Sequence, residues 1–466
     1  MVFSEPVFMF MFLPVTLLIY YAVPFRYKNL ILFLSGLLFY SWGEPVYVLI
    51  MILSTLIDYL AGRVMNKFDD REKIRKIALI VSVVMNLSLL GVFKYSGMLI
   101  DTFNGIFGSS ISNPNLPLPI GISFFTFQSM SYTIDLYRRN ITVQKNFVKF
   151  AAFVTMFPQI VAGPIVLYND VAKELESRQI DFNGISNGIS VFICGLCKKV
   201  LIANSVGELW TNVKASDYSS LPAATAWLGI IAFTLQIYFD FSGYSDMAVG
   251  LGKMLGFNFP KNFDYPYNSK TVSEFWRRWH MTLGGWFKSY VYFPLGGSRN
   301  GTAKTIRNLL IVWALTGIWH GASWNFAIWG IYYGIILILE KFVFAKLINK
   351  LPDSITRIYT LFMVVIGWII FEISSPAAEI GFIGSMFGAS GIFSDSATLN
   401  ILHNYLLTII IAAVVATGLP LKLWKKISEK ISFSDTLCFV GEAAGMVASI
   451  AYLVDATYNP FLYFNF

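Results

Sequence analysis

Charge is what this sequence has least of. Only 13% of its 466 residues are Asp, Glu, Lys or Arg, about half the roughly 25% usual in soluble domains. Too few polar groups remain to coat several soluble surfaces, although a chain this long has room for about three such domains. Cysteine is nearly absent: Cys194, Cys197 and Cys438 are an odd set with no spaced framework, which gives no case for structural disulfides. Cys194 and Cys197 form a C-x-x-C inside the apolar run 189–202. With no second pair and no nearby histidine, they read as two small buried hydrophobes on a helix. The chain also lacks an H-E-x-x-H, a Walker loop, a Rossmann glycine pattern and a G-x-S-x-G elbow. Metal hydrolysis, nucleotide use and serine-hydrolase chemistry therefore have no support, and neither a metal site nor a bound cofactor is expected.

What is present is apolar. Hydrophobic residues make up 56% of the chain and aromatic residues 17%, with a mean hydropathy of +0.61. A bilayer-crossing helix needs about 20 predominantly apolar residues. Candidate spans are 7–24, 29–42, 46–62, 77–95, 119–137, 147–165, 184–203, 223–240, 308–320 running into 322–340, 358–375, 400–418 and 436–454. The first has no Lys or Arg before it and reads as a retained span rather than a cleaved signal. The expected fold is an all-α polytopic bundle of about 12–14 spans, with re-entrant or interfacial helices, forming one membrane domain over residues 1–466.

Orientation follows from the charges that do occur. Basic residues fill the connections after the first, third and fifth spans, among them Arg26, Arg63, Lys67, Arg71 and Arg138. Eight more lie in 261–307, four in 341–357 and four in 422–430. The alternate connections 43–45, 96–118 and 376–398, and the tail from Asp455, contain none. The positive-inside bias then makes the basic connections cytoplasmic and both termini extracytoplasmic. The net charge of +8 is thus a signature of topology and gives no reason to expect nucleic acid. Between 149 and 261 an even number of crossings is needed, supplied by two or by all four of three apolar runs and the small-residue segment 242–257; broken or re-entrant helices fit as well.

Three segments carry candidate chemistry. His320 lies thirteen residues after Arg307, about 20 Å of helix rise, which carries it past the middle of the hydrocarbon. An ionisable group at that depth is a functional candidate by default, beside the plainer reading of a core histidine bonded to a backbone carbonyl. Helical spacing puts Trp313, Thr316, Gly317, His320 and Trp324 near one face. Gly317, Gly321, Ala322 and Ser323 reduce side-chain bulk and leave room for a reactant. His280 lies in Glu274-Phe-Trp-Arg-Arg-Trp-His, where Trp276, Trp279, Leu283, Phe287 and Tyr290 recur as one apolar stripe. That is the pattern of an interfacial or re-entrant helix. It is either a surface anchor or an entrance at which Arg277 and Arg278 meet an anionic donor such as coenzyme A or a carrier-borne phosphopantetheine. Asp240 and Asp246, with Ser242 and Ser245 between them, suit a cation, a broken helix end or hydrogen bonds to Tyr or Trp, the structural roles being favoured. His403 reads as a surface or packing residue.

Several long motifs in one order carry a family resemblance: Phe239-Asp-Phe-Ser-Gly-Tyr-Ser-Asp-Met-Ala, Asn262-Phe-Asp-Tyr-Pro-Tyr, Glu274-Phe-Trp-Arg-Arg-Trp-His and Trp319-His-Gly-Ala-Ser-Trp-Asn. The chain resembles the membrane-bound O-acyltransferase family. The opening Val2-Phe-Ser-Glu-Pro-Val-Phe, Gln159-Ile-Val-Ala-Gly-Pro-Ile and the closing Asn459-Pro-Phe-Leu-Tyr-Phe-Asn-Phe are similar to its alginate O-acetyltransferase-like bacterial branch. The resemblance implies a helical bundle enclosing a trans-bilayer tunnel in a bacterial inner membrane. It implies His320 as the catalytic histidine and His280 on the cytoplasmic side of the tunnel. Trp319, Ser323 and Asn325 are candidates for positioning. The donor is then acetyl-CoA or another acyl thioester, the acceptor an extracytoplasmic polysaccharide, reached through an acetyltransferase-like partner protein. After His280 the branch pattern is departed from: Lys288 and Ser289 stand where an Arg-Asp pair is usual. Rival readings are a D-alanyl transfer protein for teichoic acid and a sugar or acyl transporter using Asp58, Asp135, Asp240 and Asp246.

Overall fold

The computed structural model describes residues 1–455 and 461–462; of the closing motif Asn459–Phe466, only Phe461 and Leu462 fall among them. Every regular element among the described residues is helical, and seven helices are long and apolar enough to cross a membrane. The protein is an all-α, multi-pass membrane protein. Each expected span except 147–165 coincides with one helix or part of one. The described chain divides into two compact units, one of Met1–Phe192 with Tyr244–Lys261, the other of Ile193–Gly243 with Asn262–Phe466.

In the first unit an outer helix and an inner one differ in composition for a physical reason. Glu72–Leu90 continues through a π-turn at Gly91–Tyr95 and presents Ile77, Ile80, Val81 and Val84 outward, as a helix facing lipid does. Ile122–Tyr137 is buried along most of its length and is rich in Ser and Thr, whose hydroxyls bond to the preceding turn. Asp58, fully buried on Val48–Lys67, receives the hydroxyl of Ser82 and the amide of Asn86, which donates to both carboxylate oxygens at 2.9 and 3.0 Å. The run 147–165 is interrupted. Phe147–Thr155 stops where Met156 turns out of helical geometry, and the short helix Phe157–Ile160 carries Pro158. Residues 150–166 are buried throughout, the condition under which irregular backbone is tolerated at membrane depth.

The second unit is built on Asn204–Lys214, Thr302–His320, Trp324–Leu339, Asp353–Glu372, Ser396–Ala416 and Ser434–Asp455, with short helices Val272–Arg278 and Met281–Phe287 among them. The segment 242–257 is not a separate crossing. Ala223–Met254 is a single helix of 32 residues, so the small residues there are packing surface and not a turn. At Gly243 a Cβ would lie 2.7 Å from the Gly195 carbonyl oxygen and 3.0 Å from the Lys199 nitrogen. The C-x-x-C expectation is half corrected. Cys194 and Cys197 do lie on one helix, Phe182–Cys197. They are not buried, however, Cys194 being exposed and Cys197 half-buried beside the Ser449 hydroxyl. His403 is exposed.

Candidate active site

Asp353–Glu372 serves as a ruler for the second unit. Asp353 at its start pairs with Lys270 at 2.7 Å. At its other end, Asn325 donates its amide to the carbonyls of Ile370 and Phe371 at 3.3 and 2.9 Å, and Lys214 pairs with Glu372 at 2.7 Å. Twenty residues of helix separate these groups, a rise of about 30 Å. His320 packs against Phe371, with ring centroids 5.5 Å apart. It therefore lies at the end of the unit opposite the basic Lys270 connection.

His320 is the last residue of Thr302–His320, is 5% exposed, and is followed by extended backbone at Gly321 and Ser323 before Trp324–Leu339 begins. Edge-to-face contacts with Trp319 and Trp329, both at 5.0 Å, complete an aromatic cage with Phe371. Two expectations are corrected here. Trp324 does not share a helix face with His320, because the helix has already ended; it is exposed on the next helix. Nor do the glycines leave room for a reactant. A Cβ on Gly317 would stand 2.2 Å from the Phe326 carbonyl oxygen, and one on Gly321 would stand 2.1 Å from the Phe326 ring. Gly330 on the returning helix meets the Trp313 carbonyl in the same way, at 2.3 Å. The missing side chains let two antiparallel helices touch at backbone distance. Ser323 is half-buried in the connection, and Asn325 holds the helix end that bears Phe371.

His280 is not on a continuous amphipathic helix. It is the break between Val272–Arg278 and Met281–Phe287, with φ 44° and ψ 52°. A non-glycine residue in the left-handed region is uncommon and costs energy, and such residues gather at functional sites. Residues 262–264 run alongside and hold the break open. Asp264 N–H donates to the Arg278 carbonyl and Met281 N–H to that of Asn262, both at 2.9 Å. The side-chain oxygen of Asn262 accepts from the Thr282 N–H at 3.3 Å and its hydroxyl at 2.9 Å, and lies 3.2 Å from His280 Nδ1. A backbone N–H only donates, so that oxygen is an acceptor and Nδ1 carries the imidazole proton. Burial pulls the His280 pKa below its ordinary value, which favours the neutral ring. Trp279, Leu283 and Phe287 are buried; their stripe faces protein and is not a membrane anchor.

A cavity of about 260 Å³ opens between these short helices and Thr302–His320. Trp276, Trp279, His280, Trp313 and Thr316 line it, with Lys288 among the lining residues. Arg277 is exposed. Arg278 is committed to Glu274 at 2.8 Å and Asp264 at 3.5 Å. Trp319 lies between the two histidines, its ring 6.1 Å from that of His280 and 5.0 Å from that of His320.

Of the two aspartates, Asp240 is buried and ion-paired. Lys199 Nζ lies 2.6 Å from one carboxylate oxygen, and the Leu462 N–H donates to the other at 3.0 Å. Lys199 sits on the π-turn Lys198–Ala203 and also donates to Asn204 at 2.9 Å. Sequence reasoning missed Lys199, although two lysines within an otherwise apolar run were the available signal. Asp246 is half-buried and belongs to the first unit.

The second unit thus holds one histidine caged among aromatic rings and another at a strained break beside a cavity, within a many-helix membrane protein. The family model for membrane-bound O-acyltransferases matches residues 137–375, and the chain belongs to that family; it is an acyltransferase. It is 36% identical to a probable alginate O-acetylase AlgI of Pseudomonas putida over the whole of both chains. A probable alginate O-acetylase AlgI of Pseudomonas syringae pv. tomato is 40% identical, over 85% of this chain and 76% of that relative. A peptidoglycan O-acetyltransferase of Helicobacter pylori is 32% identical, over 84% of this chain and 81% of its own length.

Proposed function

We propose that this protein takes an acetyl group from a thioester donor on the cytoplasmic side of a bacterial inner membrane and delivers it outside for O-acetylation of a cell-envelope polysaccharide. The observation that carries the reading is the placement of His320, buried and caged at the end of the second unit opposite its basic connection, with Trp319 in contact with both it and the cavity-lining His280. The positive-inside bias makes that basic end cytoplasmic and both termini extracytoplasmic. The donor, acetyl-CoA or a carrier-borne thioester, enters along the cavity past Arg277, Lys288 and His280. His320 removes the proton of the acceptor hydroxyl as its oxygen attacks the thioester carbonyl carbon. The carbon–sulfur bond breaks and the thiolate leaves, taking up the proton as thiol. The hydroxyl belongs to an extracytoplasmic partner protein that passes the acetyl group on, or to the polysaccharide itself. The polysaccharide class follows the names of the relatives, which act on alginate and peptidoglycan.

Reconstituted protein supplied with acetyl-labelled coenzyme A is expected to cleave the thioester. The His320→Ala variant should lose at least a thousand-fold in rate, on the order of what removing a general base costs, while inserting and folding normally. Normal acetylation by that variant would falsify the assignment, and passage of intact labelled donor across the vesicle would mark a transporter.

A further inference from the structure

Three buried donors cluster between the cavity and His320, and nothing among the described residues accepts from them. The indole N–H groups of Trp276 and Trp329 and the hydroxyl of Tyr333 are shielded from solvent, and among the described residues none has a hydrogen-bond partner. They are neighbours. Trp276 contacts Tyr333 at 4.8 Å and Trp329 at 5.4 Å, and Trp329 contacts Tyr333 at 5.2 Å. Trp276 lines the cavity, and Trp329 packs on His320 at 5.0 Å. Tyrosine and tryptophan are normally buried only where the O–H or N–H finds an acceptor, because a buried donor left unmet is costly. If these rings served packing alone, phenylalanine would supply the aromatic surface without that cost. Three such donors side by side call for a ligand that is itself rich in acceptors.

A thioester on an amide-containing arm is such a ligand. We propose that Trp276, Trp329 and Tyr333 are binding groups for the carbonyl oxygens of the acyl donor, Trp329 taking the thioester carbonyl beside His320; this rests on the thioester reading of the function given above. In the transfer step the hydroxyl oxygen adds to the thioester carbon and the carbonyl oxygen becomes anionic. The Trp329 N–H then meets a charge that is larger in the transition state than in the bound donor. The oxyanion collapses as the carbon–sulfur bond breaks, and the proton held by His320 passes to the thiolate. Trp276 and Tyr333 hold carbonyls farther along the arm, where the interaction is the same before and during reaction. Trp329 thus acts on kcat, and the other two on KM.

The test uses the full-length reconstituted protein with acetyl-CoA as probe. Tyr333→Phe removes only the hydroxyl. The variant is expected to melt at the same temperature as the parent or higher, since an unmet donor has gone, while KM rises about ten-fold, the worth of one hydrogen bond in a dry site. Trp329→Phe is expected to lower kcat at least ten-fold. The parent protein should be inhibited more strongly by acetonyl-CoA, which keeps the carbonyl, than by S-ethyl-CoA, which lacks it, and that preference should vanish in Trp329→Phe. Unchanged kinetics in Tyr333→Phe together with a retained analogue preference in Trp329→Phe would overturn the inference while leaving the function standing. A parent protein that cleaves no thioester would remove both.

Discussion

Asp240 and Lys199 bury opposite charges side by side, each side chain 2% exposed. Removing two charges from solvent costs several kcal/mol per ion, so such a pair need not add stability over an apolar pair of the same volume. Breaking it is another matter. Asp240→Asn or Lys199→Met alone leaves one buried charge unmatched and is expected to cost about 3–5 kcal/mol. The double variant Lys199→Met/Asp240→Leu should recover most of that. Thermal unfolding of the detergent-solubilised protein measures it, and additive losses in the double variant would show that the two groups do not act as a pair. The sequence marked Asp240 as unusual because a carboxylate in an apolar run is conspicuous. Lys199 escaped notice because a lysine pair near the end of an apolar run looks like a membrane boundary. Only the fold, by continuing that helix through a π-turn to Lys214, turned a boundary residue into a buried partner.

At the scale of elements, the hairpin Thr302–His320 with Trp324–Leu339 is what places His320. Its two helices touch through Gly317 and Gly330, so a methyl group there has nowhere to go. Gly330→Ala is expected to force the helices apart, destabilising by about 1–3 kcal/mol as overpacking does, and to reduce acyl transfer by moving Trp329 and His320. Gly285→Ala is the control. A Cβ there meets nothing within 4 Å, and alanine is the better helix former by up to about 1 kcal/mol. Melting temperature and acetyl transfer should fall together in the first variant and stay level in the second. The two helices themselves were legible as the joined apolar runs 308–320 and 322–340, although neither is among the seven helices long and apolar enough to cross a membrane. The break at His280 was not. The apolar stripe from Trp276 to Phe287 keeps helical spacing across it, and the left-handed turn is imposed by Asn262, eighteen positions away.

For the whole molecule, orientation is the property most open to direct measurement. In a variant with Cys194, Cys197 and Cys438 replaced by serine, a single cysteine at Ser110 is expected to react with an impermeant maleimide on intact cells. One at Lys73 should react only after permeabilisation; both positions are exposed. The reverse pattern would invert the positive-inside assignment and put the donor entrance on the wrong side of the membrane. Composition, run length and motif order alone determined that the chain is all-helical, multi-pass and a membrane-bound O-acyltransferase. Each of these is set by local transfer free energy or by residue identity and needs no knowledge of neighbours. Tertiary structure alone decided that the glycines beside His320 are helix contacts, that Asp240 has a lysine partner, that His280 caps a break, and that Trp276, Trp329 and Tyr333 cluster with their donors unmet. Those properties depend on which distant side chains come within a few ångströms of one another, which a hydropathy pattern does not record.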